Sequence, residues 1–208
     1  MLYFFLRLLA VLLFKTLFRI RVTGREKIPK GGVLLVSNHT SHIDPVALGV
    51  AFPRPLYFFA RWDLFSNPFF GTLIQHLHAF PVHIGGRDKD AIQGTIQKLR
   101  EGKTVVLFPE GSRSRDGSFH RGQAGAGLIA SKTGVPVLPA YIRGSHKVLP
   151  RGARMIRLGE VSVHFGKPLF FSPARDVPGD IMKSHHAYYQ KISNQLMEAI
   201  REIKDLTE

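Results

Sequence analysis

The chain has 208 residues, which is the size of one domain and is enough to bury a sizeable hydrophobic core. It contains no cysteine, so disulfides, thiolate zinc sites and a cysteine-based acyl-enzyme are excluded. Its 29 Lys and Arg residues against 15 Asp and Glu give a formal net charge of +14, which indicates a polyanionic partner. Nucleic acid, anionic lipid and phosphorylated small molecules all fit that charge.

Residues 1–20 are strongly apolar, but Arg7 and Lys15 interrupt them. A basic residue at the centre of a bilayer costs about 2.5–3.5 kcal/mol, so a spanning helix is disfavoured. A helix lying in the membrane interface, with Arg7, Lys15 and Arg19 along one edge, is favoured instead. The alternative is an apolar helix that packs on the domain. The sequence therefore divides into a membrane-associating N-terminal helix, 1–20, and a single α/β domain, 21–208. Basic residues extend the charged surface at Arg21, Arg25, Lys27 and Lys30.

Strand-like and helix-like segments alternate along the rest of the chain. Because such alternation is typical of a parallel sheet covered by helices, it predicts an α/β fold with a mostly parallel sheet and helices on both sides. Reactive loops are then expected at the carboxyl ends of the strands. Strands are predicted over residues 18–23, 33–36, 56–60, 104–108, 135–142, 153–158 and 161–165. Helices are predicted within residues 64–77 (two short ones), over 88–100, 124–133 and 180–204, and from Pro45 onward.

The stretch Asn38–Asp44 lies between a predicted strand and a predicted helix. His39 and Asp44 are five residues apart, about 500° on a continuous helix, so they would not share a face. A turn that breaks at Asp44, with Asp44 as helix cap and Pro45 at the first helical position, brings the carboxylate back to one ring nitrogen. Such an aspartate fixes the tautomer and supports the imidazolium. The pattern predicts a general base with its orienting acid; in the alternative, Asp44 only caps the helix and His39 is a loop residue.

A second motif, Phe108–Arg113 (FPEGSR), follows a predicted strand. Together with Asn38-His39 and Asp44, it resembles the glycerolipid acyltransferase family, which has an Asn-His-four residues-Asp block and a later Phe-Pro-Glu-Gly-Thr-Arg block. A third, proline-containing apolar block stands at Val135–Pro139. The order and spacing fit the family, and the resemblance covers roughly residues 20 to 170.

The resemblance implies a glycerol-3-phosphate acyltransferase-like fold and a reaction. A fatty acyl group would pass from acyl-CoA or acyl-carrier protein to the free hydroxyl of 1-acylglycerol-3-phosphate (lysophosphatidic acid), giving phosphatidic acid. His39 would act as general base and Asp44 would orient it, a contribution of about 10²–10⁴ in rate. No cofactor is expected, and no metal, since His39, His42 and Asp44 lack the spacing of a helical metal pair. Anionic membrane lipids are expected partners and nucleic acid is not. The expected location is the cytoplasmic face of the bacterial inner membrane.

The FPEGSR motif also implies how substrate is bound. Arg113 is the first candidate for the phosphate, and Ser112 replaces the usual Thr while keeping the hydroxyl. Glu110 is expected to fix Gly111 and Arg113 or to contact the acceptor hydroxyl, and Asn38 is expected to hold the His39 loop. The predicted substrate-binding residues are Asn38, Arg87, Glu110, Gly111, Ser112, Arg113 and Arg121.

One position departs from the family pattern. The family's second block ends in an arginine where this chain has Ile84, and the nearest arginine is Arg87. The departure leaves open an acyltransferase of the same family with a different lyso-lipid acceptor. A non-catalytic basic protein that binds membrane or nucleic acid, and a hydrolase that uses water as acceptor, are two further alternatives.

Overall fold

A computed structural model describes residues 2–82, 89–153, 155–172 and 185–208. Within these residues the chain forms a seven-stranded sheet flanked by helices. The strands are β1 Arg21–Thr23, β2 Val33–Ser37, β3 Leu56–Arg61, β4 Ala79–Val82, β5 Thr104–Leu107, β6 Val137–Arg143 and β7 Ser162–Phe165. The helices are α1 Leu2–Leu17, α2 Asp44–Ala51, α3 Pro68–His76, α4 Lys89–Arg100, α5 Ala124–Thr133, α6 Ser145–Val148 and α7 His185–Thr207, with 3-10 helices at Arg25–Lys27 and Trp62–Phe65.

The strand order is β1-β7-β6-β2-β5-β3-β4, and the sheet is mixed. Strands β6, β2, β5, β3 and β4 run parallel, whereas β7 is antiparallel to β6 and β1 is parallel to β7. All five residues of β2, near the middle of the sheet, are buried, as expected of a parallel strand with helices on both faces. The predicted α/β class with a mostly parallel sheet is confirmed.

Two hydrophobic layers cover the two faces of the sheet. On one face, Phe14 of α1 and Leu48 of α2 pack against buried side chains of the sheet. On the other face, Ile129 of α5 and Leu196 of α7 belong to a second buried cluster. The sheet is therefore packed on both faces. This fixes the ends of its strands, from which the loops at the carboxyl edge start.

Local signals fix the ends of several helices. Asn67 caps α3, with its side-chain oxygen accepting the backbone N–H groups of Phe69 and Phe70. Gly134 ends α5 in the left-handed conformation, at φ 63°, which glycine adopts without a Cβ clash. The bounds of α5 agree with the helix predicted over residues 124–133.

Helix α1 packs on the domain through one side and exposes apolar residues on the other. Arg7 turns inward and donates to the carbonyl oxygens of Gly49 at 3.3 Å and Phe52 at 2.6 Å. The prediction of Arg7 on an outer basic edge is therefore wrong, because the last carbonyls of α2 lack intrahelical partners and attract the guanidinium. Of the helices in the described residues, none has the length and apolar character needed to cross a bilayer. The exposed apolar residues of α1 are Leu2, Phe4, Phe5, Leu8, Leu9, Leu12, Leu13 and Leu17.

The strand predicted over residues 153–158 is wrong. Ala153 and residues 155–158 form a loop, which is tied down where the backbone N–H of Arg157 donates to the Val148 carbonyl at 2.8 Å. Both sides of β7 already have partners, β6 and β1, so no edge is left for a hairpin with this segment. Strand β1 is also shorter than predicted, since it begins at Arg21. Ile84, Arg87 and the predicted start of the last helix lie outside the described residues.

Candidate active site

The two motif loops leave the sheet side by side. Strand β2 runs into Asn38-His39, and β5 runs into Phe108. The two strands are parallel neighbours, and Val36 of β2 is paired with Leu107 of β5. Both loops therefore emerge at the carboxyl edge, where open α/β sheets bind ligands.

The carboxylate of Asp44 contacts the imidazole of His39. Its Oδ2 lies 2.9 Å from His39 Nδ1 and accepts the backbone N–H groups of Thr40 and Ser41, each at 2.7 Å. Asp44 is fully buried and is the first residue of α2. The cap position predicted for Asp44 is therefore occupied by Ile43, which makes no capping hydrogen bond with its side chain. The carboxylate turns backward because the two loop N–H groups point at it from the preceding turn.

This contact determines which nitrogen of His39 is available. An ionised Asp44 can only accept, so Nδ1 carries the proton and Nε2 has the free lone pair. The ring stacks on Phe108, with centroids 3.9 Å apart and planes at 14°, and 17% of the side chain remains exposed. The geometry suits an imidazole that accepts a proton at Nε2 while Asp44 stabilises the resulting charge.

The His39 loop is fastened to the end of β6 and to the start of α6. The Asn38 side chain pairs with the backbone of Ile142, accepting its N–H at 2.8 Å and donating to its carbonyl at 2.9 Å. Thr40 Oγ1 lies 3.0 Å from Ser145 Oγ. Since Asn38, Thr40 and Ser145 are all buried, these bonds hold the backbone around His39 in one position.

Glu110 connects the His39 loop with a third segment of chain. Its Oε1 accepts the backbone N–H of His39 and its Oε2 that of His120, each at 3.1 Å. Glu110 was expected to fix Gly111 and Arg113 or to contact an acceptor hydroxyl, whereas the two N–H groups that it accepts belong to His39 and His120. Only 1% of the side chain is exposed, and this burial raises the pKa of the Glu110 carboxyl despite the two hydrogen bonds. Glu110 is thus a structural link beneath the site.

The remaining motif residues form the outer part of the same edge. Gly111 turns the chain at φ 71° and donates its N–H to the Phe108 carbonyl at 3.0 Å, leaving Gly111 and Ser112 exposed. The Arg113 side chain is half-buried, and its carbonyl accepts from Arg151 Nη1 at 2.8 Å. Arg121 is exposed beside His120, so the Glu110 link brings its backbone toward the same region. Arg87 lies outside the described residues.

His42 stands within the same charge environment. Its imidazole pKa is lowered first by burial and then by the neighbouring Arg113 and His39 side chains, against a smaller opposite effect of Asp44. The ring is therefore neutral near pH 7. Among the residues that the structure describes, no cluster of three or more His, Asp or Glu side chains could hold a metal ion.

Comparison with known proteins identifies the family of the chain. The family model described as Acyltransferase matches residues 19–143, more than half of the chain. The chain belongs to the Acyltransferase family. It is 30% identical over 153 residues to the 1-acyl-sn-glycerol-3-phosphate acyltransferase of Bacillus subtilis (strain 168), an alignment that covers 72% of this chain and 73% of that protein.

Two further relatives extend the comparison. The chloroplastic 1-acyl-sn-glycerol-3-phosphate acyltransferase of Brassica napus is 31% identical over 158 residues, and the alignment covers 74% of this chain. The match spans only 46% of the plant protein, so the chain corresponds to less than half of that relative. The crystal structure of the 1-acyl-sn-glycerophosphate (LPA) acyltransferase PlsC from Thermotoga maritima superposes with a TM-score of 0.76 at 26% identity, covering 99% of this chain and 79% of that one.

Several contacts of the candidate site were not read from the sequence of this acyltransferase-family chain. The Phe108 stack, the Thr40–Ser145 bond and the contact of Arg151 with Arg113 were not predicted. Phe108 stands directly before the Pro-Glu-Gly motif, so its position was a usable signal. Ser145 gave none, because a serine after a strand is common in any loop.

Proposed function

We propose that the protein is a 1-acylglycerol-3-phosphate O-acyltransferase, which transfers a fatty acyl group from acyl-CoA or acyl-carrier protein to the free hydroxyl of the acceptor and yields phosphatidic acid. The observation that carries the proposal is the 2.9 Å contact between His39 Nδ1 and Asp44 Oδ2 at the carboxyl edge of the sheet. The activity named for the relatives above supports the same reaction class and acceptor.

The proposed reaction uses both ring nitrogens of His39. His39 Nε2 takes the proton of the acceptor hydroxyl while the oxygen attacks the thioester carbonyl of the donor. The tetrahedral intermediate collapses, the carbon–sulfur bond breaks, and Nε2 returns the proton to the leaving thiolate. Asp44 remains ionised throughout and stabilises the imidazolium that forms between the two transfers.

The basic turn beside His39 binds the phosphate in this proposal. Arg113 and Arg121 supply guanidinium groups, and the turn at Gly111 exposes Ser112, whose hydroxyl can donate to the phosphate. Direct attack of the acceptor hydroxyl on the thioester needs no covalent acyl-enzyme. The chain also has neither a cysteine nor a Gly-x-Ser-x-Gly elbow that could form one. Glu110 and Asn38 act as positioning residues, because their hydrogen bonds go to the backbone of the catalytic loop and of β6.

The N-terminal helix attaches the protein to a membrane in the same proposal. Its exposed apolar face and the exposed Lys15 next to it suit the interface of an anionic bilayer. Acceptor and product are both lipids, so an enzyme at the cytoplasmic face of the membrane meets them together with a water-soluble acyl donor.

Product analysis by mass spectrometry tests the function. Purified protein is incubated with mixed acyl donors and mixed lyso-lipids, and phosphatidic acid is the expected main product. His39→Ala is expected to abolish turnover and to leave vesicle binding intact, whereas His186→Ala, an exposed histidine of α7, retains both. Release of free fatty acid without acylated acceptor would instead identify a hydrolase.

A second acceptor class has one specific observation in its favour. Ile84 stands where the family pattern has an arginine, so either Arg87 supplies a phosphate contact at that place or the contact is missing. The alternative function is acyl transfer to a lyso-lipid with a different headgroup. If neutral lyso-lipids are used as well as 1-acylglycerol-3-phosphate, the phosphate-specific assignment is wrong and this alternative holds.

A further inference from the structure

An exposed apolar loop lies beside the candidate site. We call it the rim loop and define it as residues 151–153 and 155–158. Met155 is 79% exposed, Ile156 58% and Leu158 78%. Single exposed apolar side chains are ordinary, but three within four positions form a patch.

Backbone hydrogen bonds hold the rim loop in the conformation that exposes these side chains. The N–H of Ala153 donates to the Pro150 carbonyl at 3.0 Å, and the N–H of Arg157 donates to the Val148 carbonyl at 2.8 Å. A Cβ atom at Gly159 would lie 3.0 Å from the Val148 side chain, so the backbone is also closely packed there. The loop is held at both ends with its apolar side chains outward.

The rim loop borders the catalytic edge directly. Arg151 Nη1 donates to the carbonyl of Arg113 at 2.8 Å, and Arg113 belongs to the FPEGSR turn. The loop also leads from α6 to β7, and β7 begins level with Arg143, the last residue of β6. The loop therefore lies beside the Arg113 turn, at the same edge of the sheet as His39.

The residues that follow the rim loop contact the end of α1. Val161, just after the loop, donates its N–H to the Phe18 carbonyl at 3.0 Å. Glu160 faces Arg19 at 3.9 Å and Arg21 at 3.7 Å. The loop thus stands between the last turn of α1, with its exposed apolar face, and the Arg113 turn.

The charges of this surface indicate what covers it. Arg151 and Arg157 are exposed and alternate with the apolar side chains of the loop, and Lys15 is exposed near the end of α1. Apolar side chains among basic ones are typical of contact with anionic lipid, where the former enter the acyl region and the latter stay among the phosphates. Leu17, in the last turn of α1 and next to Phe18, is also an exposed apolar residue.

We propose that the rim loop inserts Met155, Ile156 and Leu158 into an anionic lipid surface at the mouth of the site, so that a lipid acceptor passes from the bilayer to His39 without crossing water. The inference deepens the proposed function and rests on it for the identity of the acceptor. The lipid contact itself rests on the loop alone, and it is tested without any turnover.

The absence of cysteine allows a direct fluorescence test. Met155→Cys and Leu158→Cys are labelled with nitrobenzoxadiazole and mixed with phosphatidylglycerol–phosphatidylcholine vesicles. We expect a blue shift and quenching by a lipid-borne nitroxide at both positions. Phe170→Cys is the matched control, since it is 71% exposed but follows Leu169, which bridges to Val137 at the opposite end of β6.

The outcomes separate the possible partners. No spectral change at Met155 and Leu158, while labelled Leu8→Cys in α1 responds to the vesicles, would overturn the proposal. A change that depends on protein concentration and needs no vesicles would overturn it in favour of a second copy of the chain. An equal response of Phe170→Cys would also overturn it, because the signal would then be unspecific.

Activity provides the second readout. Met155→Ser, Ile156→Ser and Leu158→Ser are combined, and turnover is measured with a long-chain acceptor in vesicles and with a short-chain acceptor dissolved as monomers. We expect about a tenfold or greater loss with the vesicle acceptor and a change within about twofold with the monomeric one. Phe170→Ser should match the parent protein on both. Equal losses on the two acceptors would mean a structural defect and would contradict the proposal. If the parent protein acylates neither acceptor, the proposed function fails, and the fluorescence result still decides the lipid contact.

Discussion

Asp44 holds the imidazole of His39 through a single oxygen, Oδ2, which lies 2.9 Å from Nδ1 and also accepts two backbone N–H groups at 2.7 Å. The other oxygen, Oδ1, is buried and has no hydrogen-bond partner within the described part of the chain. The aspartate is therefore arranged to orient one ring and to stabilise one charge.

Replacing Asp44 by Asn separates orientation from charge. The amide oxygen can keep the three hydrogen bonds of Oδ2, and its NH₂ group takes the unpartnered position of Oδ1. Because the negative charge is lost, the imidazolium of His39 is no longer stabilised, and we expect kcat to fall by about 10²–10⁴. Steady-state kinetics measure the effect, and circular dichroism verifies the fold. Asp116→Asn, an exposed loop carboxylate, is the control; a similar loss there would contradict the assigned role of Asp44.

Asn38 contributes to stability through the backbone of Ile142. Asn38→Ala leaves the buried N–H and carbonyl of Ile142 without their partner, and an unsatisfied buried group costs about 1–3 kcal/mol. We expect the free energy of unfolding in urea to fall by about 2 kcal/mol or more. Asn194→Ala, on the exposed side of α7, should change it by less than about 0.5 kcal/mol. Equal effects of the two variants would show that the Asn38 bonds are dispensable.

Arg7 and Lys15 test which basic residues of α1 serve the fold. Arg7→Met removes the donor to the Gly49 and Phe52 carbonyls, so we expect a loss of about 1–3 kcal/mol in the free energy of unfolding. Lys15→Met removes the same charge from an exposed position and should cost less than about 0.5 kcal/mol. Thermal unfolding and limited proteolysis near α1 measure the difference. A larger loss for Lys15→Met would mean that Arg7 does not anchor the helix.

The buried Glu110 gives the stability of the protein a dependence on pH. Its pKa is raised by burial above the ordinary value of 4.5, so between the two values the folded chain keeps a proton that the unfolded chain has released. The free energy of unfolding therefore falls as pH rises through this window. Glu110→Gln does not titrate, so the Tm of the parent protein should fall relative to that of the variant as pH rises above about 4.5.

One control variant and one contradicting result complete the pH prediction for Glu110. Glu198→Gln, an exposed glutamate of α7, should show a constant Tm difference from the parent over the same pH range. A Tm difference for Glu110→Gln that stays constant or moves the other way would contradict the raised pKa.

The central part of the fold and site could be predicted from the sequence. Apolar runs such as Val33–Val36 and Thr104–Phe108 indicated buried parallel strands, and the carboxyl-edge rule then brought His39 and Glu110 to one place. The spacing of His39 and Asp44 likewise required a turn, which the structure contains.

The rest depends on contacts far apart in the chain. Thr40 and Ser145 are 105 residues apart, and only the order of strands brings them together. Arg7 could not be assigned to the inner side of α1, because a helical pattern does not reveal that the last carbonyls of α2 lie beside it. The segment after Gly152 had the composition of a strand, yet a neighbouring edge, which no local pattern reports, was already occupied.

The Glu110 carboxylate joins the backbones of His39 and His120, which lie 71 and 10 residues away along the chain. The two segments cannot drift apart while both bonds persist, so they respond to a force as one body. If Arg121 binds the acceptor phosphate as proposed, a displacement of its segment is transmitted to the His39 loop through the Glu110 side chain. In that proposal, acceptor binding and the position of the imidazole are coupled through one buried residue.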